Sequence, residues 1–256
     1  MLRKEFNKFP FLVFEKMGVF PELAHGFSLR KRAEAGEEVD FSGKRPELAR
    51  RSRQDFCRAL GLEPDKLART GQVHGSEIAV VGEAGSYPEI DGLITNEPGK
   101  GLLLLGADCL LVLVYDPAGR VVGAAHAGWR GTVRKITKKL VARMAGEFHG
   151  DPGGFRAGIA PGVCGRCYEV GAEVVEAASG LENSGAFVKP SPHGTYESPR
   201  WHFDLAEANR RQLGEAGLRE GHIELSHCCT FEEQQFHSHR RDGERSGRAA
   251  LLAGMV

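Results

Sequence analysis

The chain has 256 residues, 41% of them hydrophobic, with Lys plus Arg balancing Asp plus Glu at 34 each. That length supports one sizeable core, so a single domain over residues 1–256 is expected, and zero formal net charge offers no basic field for nucleic acid. No segment reaches the roughly 18 apolar residues of a membrane span, and residues 1–20, broken by Lys4, Glu5, Lys8, Glu15 and Lys16, lack the apolar run of a signal peptide, so a cytoplasmic location is expected.

In chain order, residues 11–14 and 24–28 predict short strands. Residues 46–60 predict a helix, with Pro46 in its first turn and Leu48, Phe56 and Leu60 at roughly helical spacing. Residues 67–73 and 78–81 predict strands, with His74 and Gly75 in the turn between them. The densest apolar stretch follows. Residues 102–105, 110–115 and 121–125 are Val- and Leu-rich runs parted by Gly, Asp and Pro, the pattern of strands buried on both faces. A helix is predicted over 131–147, its opening at 128–132 offering backbone N–H groups to an anion. Beyond it come a strand at 155–159, a helix at 170–178, a Ser-, Pro- and Gly-rich surface loop over 179–200, a helix at 204–216 and a strand at 223–225. The polar stretch 228–247 leads into an apolar end at 249–256. Mixed elements without repeat or linker predict an α/β domain.

Three chemistry-bearing residues stand at the punctuation of those runs: His74 in Gln72-Val73-His74-Gly75, Cys109 in Gly106-Ala107-Asp108-Cys109, and His126 in Ala125-His126-Ala127-Gly128-Trp129-Arg130. A thiol and two imidazoles make a catalytic zinc set that leaves a fourth tetrahedral position open. The same groups can form a Cys–His nucleophile pair with a second His. The gaps of 35 and 17 residues match no compact metal motif, so placement at strand ends carries the argument, because neighbouring strand ends lie side by side. Asp108 is a candidate to orient a ligand or move a proton. Six cysteines are too few for a secreted disulfide scaffold in a chain this long. Cys164 and Cys167 form a CxxC, but Cys228-Cys229 has the wrong spacing to complete a zinc ribbon, and structural cysteines are expected there. His237-Ser238-His239-Arg240-Arg241-Asp242 offers two histidines that can share a metal from a strand face, against the plainer reading of a solvated loop.

These residues bring a family into view. The chain resembles the YfiH and laccase-domain-containing family, formerly described as multicopper polyphenol oxidases. The resemblance runs through Gln72-Val73-His74-Gly75, Asp91-Gly92-Leu93-Ile94-Thr95, Ala107-Asp108-Cys109 and His126-Ala127-Gly128-Trp129-Arg130-Gly131-Thr132. It resumes at Gly158-Ile159-Ala160-Pro161, Cys167-Tyr168-Glu169-Val170-Gly171, Phe203-Asp204-Leu205 and Ser238-His239-Arg240-Arg241-Asp242. It implies a single-domain four-layer sandwich, two packed β-sheets flanked by helices, with zinc on the positions of His74, Cys109 and His126. It also implies phosphorolysis of adenosine, inosine and methylthioadenosine, with adenosine deamination as a side reaction. Purine nucleosides and phosphate are then the partners, no nucleic acid or membrane is involved, and the chain is a monomer or small homo-oligomer. Cys109, Asp108 and His126 are the expected catalytic residues, and Arg30, Gln72, Arg130 and Arg240 the expected substrate and phosphate contacts. Copper stays open beside zinc, since imidazole and thiolate suit both, although 10 histidines are few for a multicopper oxidase. The chain departs from the family pattern where Arg30 runs into Lys31-Arg32-Ala33, where His239 replaces a tyrosine, and where Cys164 is displaced from a Cys-Cys pair. Two alternatives stand beside this reading: a Cys–His amide hydrolase acting on peptidoglycan precursors, and a non-catalytic metal-binding module.

Overall fold

The computed structural model describes residues 1–32, 36–195 and 197–256. Ala33 of the departing loop and Tyr196 of the 179–200 stretch lie outside them. The described elements are β1 (Leu2–Phe6), β2 (Phe9–Val13), β3 (Leu23–Ser28), α1 (Pro46–Leu60), β4 (Leu67–Gly71), β5 (Ile78–Val80), β6 (Gly85–Pro88) and β7 (Gly92–Thr95). Then follow β8 (Gly101–Gly106), β9 (Leu110–Asp116), β10 (Val121–Ala127), α2 (Trp129–Val133), α3 (Ile136–Phe148), β11 (Arg156–Ile159), β12 (Glu169–Val170) and α4 (Ala172–Ala178). The chain ends with β13 (Val188–Pro190), β14 (Trp201–Phe203), α5 (Leu205–Glu215), β15 (Ile223–Leu225), α6 (His239–Asp242) and β16 (Ala249–Met255).

The strands form a seven-stranded sheet in the order β1-β2-β3-β16-β8-β4-β6, a six-stranded sheet in the order β15-β11-β9-β10-β7-β5, and a small third sheet, β12-β14-β13. Side-chain alternation explains the layering, because successive residues of a strand face opposite ways. Leu102 and Leu104 of β8 pack with Leu111, Leu113 and Tyr115 of β9 in a core between the two large sheets. Leu103 of β8 points the other way, onto Phe56 and Cys57 of α1. Leu110, Val112 and Val114 of β9 turn outward onto Ile136, Leu140 and Met144 of α3 and Leu205 and Leu213 of α5. The order is helix, sheet, sheet, helices, as the resemblance implied. Both faces of the central strands are covered, which is why they read as unbroken apolar runs. Each fully buried Leu contributes about 1.5–3 kcal/mol. Gly123 lets α3 sit tight on β10, since a Cβ there would lie 2.6 Å from the Met144 sulfur.

Several elements differ from the sequence reading. The helix expected over 131–147 is two: Lys135 takes a left-handed backbone (φ 60°) and parts α2 from α3. The break lets Thr132 meet α5, where Asn209 donates to its hydroxyl (2.9 Å) and Gln212 to its carbonyl (2.8 Å). The expected loop over 179–200 holds β13 and the buried Phe187. The apolar end is no tail: β16 pairs with both β3 and β8 in the middle of the first sheet. β1 is an additional strand, every residue of it exposed at the sheet edge.

The topology also fixes the candidate centre. β4 and β8 are parallel neighbours, so the segments leaving them emerge at one end of the first sheet. There the chain crosses through residues 107–109 into β9 of the second sheet. Its antiparallel partner β10 ends beside that point, with Ala127 opposite Leu110 and His126 opposite Leu111. The three expected donors therefore meet where the two sheets meet, and not along one row of adjacent strand ends.

Candidate metal and catalytic centre

His74, Cys109 and His126 each offer a donor atom, and the three atoms lie within 4.8 Å of one another. The two imidazole rings are 4.9 Å apart, steeply inclined at 72°. His126 is buried and His74 exposed, so the group runs from the core to the surface. Soft thiolate and borderline imidazole at this separation fit a zinc or copper ion with one position left over.

Behind the donors stands Asp91, fully buried just before β7. Its Oδ1 is 2.8 Å from His126 Nδ1. Because an ionised carboxylate only accepts, Nδ1 carries the proton and Nε2 is left as the donor atom. The same carboxylate accepts the backbone N–H groups of Val73 (3.1 Å), His74 (3.2 Å) and Gly75 (2.7 Å). Those bonds hold His74 in a left-handed backbone, φ 59°, which a non-glycine residue adopts at a cost. Burial works against the Asp91 charge, but the bonds from His126, Gly75 and Val73 keep its carboxyl below the ordinary range. Gly128 closes the other side, where a Cβ would come within 2.9 Å of the Cys109 sulfur and 3.2 Å of the His74 ring.

Burial alone would push the Cys109 thiol up. The charge of His126 and hydrogen bonds from both histidines overcome it and bring the thiol down to about 6. Burial likewise opposes the His126 charge, yet Cys109 and Asp91 raise it to about 9. Without a metal, the pair is a thiolate beside an imidazolium.

His74, Cys109, His126 and Gln72 line a cleft of about 700 Å³, together with Lys44, His239 and Arg248. The Gln72 amide is engaged with the backbone of β8, donating to the Leu105 carbonyl and accepting its N–H, each at 2.8 Å. Asp108, at φ 87°, is tied up as well: Oδ1 accepts the Thr230 hydroxyl and Oδ2 the Arg240 N–H, each at 2.6 Å. The Arg240 side chain donates to the Glu169 carbonyl (2.8 Å) and lies over the Tyr168 ring. Arg130 stacks on Trp129, 4.3 Å from the ring centre. Arg30 sits apart from the cleft, paired with Asp242 at 3.0 Å. The two histidines of the 237–242 cluster separate: His237 is buried on the Val39 carbonyl (2.7 Å), while His239 reaches the cleft. His239 opens α6, so the two do not share a strand face.

Asp91 and Tyr168 fell within the family motifs, but their place here depends on the fold. Burial and the nearby Cys109 push the Tyr168 phenol up to about 12, against Arg240 and Arg130. Lys44 and Arg248 carried no sequence signal beyond their charge.

A four-layer α/β sandwich with a two-histidine, one-cysteine donor set where its sheets meet defines the class of protein. The chain belongs to the family described as "Multi-copper polyphenol oxidoreductase laccase", whose sequence model matches residues 26–256. It is 37% identical over 223 residues to a protein of Deinococcus radiodurans named purine nucleoside phosphorylase, covering 86% of this chain and 83% of that one. It is 32% identical over 209 residues to adenosine deaminase RL5 from an unknown prokaryotic organism, covering 77% and 78%. In structure it is similar to YlmD of Geobacillus stearothermophilus (TM-score 0.87, 28% identity, 98% of this chain and 97% of that one). It is likewise similar to a Bacillus licheniformis hypothetical protein, YfiH (TM-score 0.86, 26% identity, 98% and 100%). The resemblance drawn from the motifs holds.

Proposed function

We propose that this chain is a metal-dependent purine nucleoside enzyme that cleaves nucleosides with phosphate and deaminates adenosine as a second reaction. His74, Cys109 and His126 would hold the metal, zinc being favoured by a thiolate with two imidazoles and an open corner. The observation that carries this reading is the convergence of that trio, with Asp91 behind it, in a chain similar over most of its length to relatives named for these activities. When bound, zinc would supply a Lewis acid toward a water or substrate oxygen at the open position.

The chain's own residues do the rest. Asp91 fixes the His126 tautomer. Asp108 acts as a positioning residue, tying the Cys109 segment to Thr230 and Arg240. Lys44 and Arg248 lie on the cleft, unlike Arg30, and Lys44 would exchange its ion pair with Glu244, on the same cleft, for phosphate. In phosphorolysis a phosphate oxygen bonds to C1′ of the ribose while the bond from C1′ to the purine nitrogen breaks, its electron pair leaving with the base. Holding the anion in line for that displacement is the main catalytic task.

Incubation of the zinc-loaded protein with adenosine and phosphate, read by mass spectrometry, tests this. Ribose 1-phosphate with adenine supports phosphorolysis, and inosine supports deamination. No product from protein that holds its metal rejects the reading in favour of a binding module. A second reading, a Cys–His amide hydrolase, draws on the thiolate–imidazolium pair with Asp91 behind it. His74 argues against it: a Cys–His–Asp triad has no use for a second imidazole within 4.8 Å of the sulfur. Amide turnover by metal-stripped protein, abolished by alkylating Cys109, would restore it.

A further inference from the structure

We infer that the chain carries a second metal centre, a structural zinc site built from Cys164, Cys167, Cys229 and Glu232. Donor atoms of these four residues lie within 4.8 Å of one another, although Cys229 stands more than sixty positions beyond Cys164. All three cysteines are free thiols. The sequence alone offered only a lone CxxC and the adjacent pair Cys228-Cys229; the fold takes one cysteine of that pair and leaves the other out.

The backbone builds a cage. Cys167 and Tyr168 both donate their N–H to the Cys164 carbonyl at 3.0 Å, a tight turn that brings both thiols of the CxxC to one side. Gly162 and Cys229 form a parallel bridge, and Thr230 donates to the Gly162 carbonyl at 3.0 Å, which fixes the second segment against the first. The Cys164 N–H points at the Cys229 sulfur (3.3 Å), and the Cys167 sulfur is 3.4 Å from Glu232 Oε1. Backbone N–H groups aimed at sulfur are the outer contacts that steady a metal-bound thiolate. Cys229 is buried and Glu232 exposed, so the cage opens to solvent on its carboxylate side. There the exposed Arg166 guanidinium, 3.4 Å from Glu232, would yield that oxygen to the ion.

Three thiolates and one carboxylate make a soft, closed, four-donor set. Such a set selects zinc over hard cations and leaves no corner for substrate. Its task follows from what it joins. One arm leads into Tyr168, which lies under Arg240; the other leads into Thr230, which holds Asp108. The ion staples together two segments that reach Asp108 and Arg240, the chain neighbours of Cys109 and His239.

The test leaves the first centre out. Protein loaded with zinc sulfate and freed of excess metal by gel filtration is assayed for zinc per chain by mass spectrometry. The Cys109→Ala variant is expected to keep one equivalent, and Cys109→Ala with Cys167→Ser to keep none. Cobalt substitution gives a second reading that needs no further variant: Cys109→Ala loaded with cobalt should show intense thiolate-to-metal absorption of a tetrahedral site. A Cys109→Ala protein without zinc and without that absorption overturns the inference. So does a double variant that binds as much as the single one, or intact masses showing a disulfide among these three thiols where metal should be.

Discussion

The two cysteine-containing clusters differ in what stands behind and in front of their donors. The trio of His74, Cys109 and His126 has a buried carboxylate outside the donor set, Asp91, and a cleft of about 700 Å³ before it. In the group of Cys164, Cys167, Cys229 and Glu232, the carboxylate is itself a donor. Three donors with a gap leave room for chemistry, and four without one hold loops together. The lesson is that the place of the carboxylate, behind the donors or among them, decides whether a position stays open.

The sharpest way to break this comparison is to remove one thiol from each cluster. Cys109→Ala should abolish turnover of purine nucleosides. Cys167→Ser should keep turnover within a few-fold and lower the melting temperature instead, because a structural zinc contributes directly to folding free energy. Activity and thermal unfolding measured side by side on both variants check this. Loss of activity without loss of stability in Cys167→Ser would reverse the assigned roles.

Asp91→Asn comes next. Outer-shell partners of metal-bound histidines are worth about 10–100-fold in metal affinity. The variant should bind zinc that much more weakly, because the amide no longer enforces the Nε2 tautomer and no longer accepts every backbone N–H from residues 73–75. Competition against a zinc chelator measures it, and an unchanged affinity would remove Asp91 from the centre. Gly128→Ala should have an effect of the same order. Its methyl would press on the Cys109 sulfur at 2.9 Å and the His74 ring at 3.2 Å, and overpacking of this kind costs about 1–3 kcal/mol. If chelator competition and thermal unfolding both leave the variant like the wild type, the donors are not held as tightly as the geometry indicates.

Much of this architecture is legible in the sequence, and the illegible part has a physical pattern. α1 begins at the proline that suits a first turn and ends before Gly61, whose left-handed backbone caps it. β9 and β10 show themselves because burial on both faces demands unbroken apolar runs. β1 gives no such signal, being an edge strand with every residue exposed, and β16 reads as an apolar tail because nothing local tells a central strand from a terminus. Of the first centre, the three donors His74, Cys109 and His126 are visible in their motifs, whereas Asp91 takes its place behind them only through the fold. The second was half legible: Cys164-x-x-Cys167 is visible, but Cys229 joins it only through tertiary pairing with Gly162. Nothing in the chain foretells that Thr230 and Arg240 each donate to one oxygen of Asp108.

The smallest expected effect is one of cancellation, and it isolates the first centre from the second. In metal-free protein the Cys109 thiol lies at about 6 against an ordinary 9.0, and His126 at about 9 against 6.5. The depressed thiol stabilises the fold fully above the unfolded value near 9, and this is lost as pH falls through 6. The raised imidazole stabilises fully below 6.5, and this is lost as pH rises through 9. Between about 6.5 and 9 the two slopes oppose each other, because folded and unfolded chains each hold one proton on the pair, so this pair adds almost nothing to the pH dependence of stability there. Reactivity does not cancel. Alkylation of Cys109 in stripped protein should rise with a midpoint near pH 6, and zinc should suppress it. A midpoint near 9, followed by peptide mapping of Cys109 in stripped protein, would mean that the imidazolium does not stand beside the sulfur.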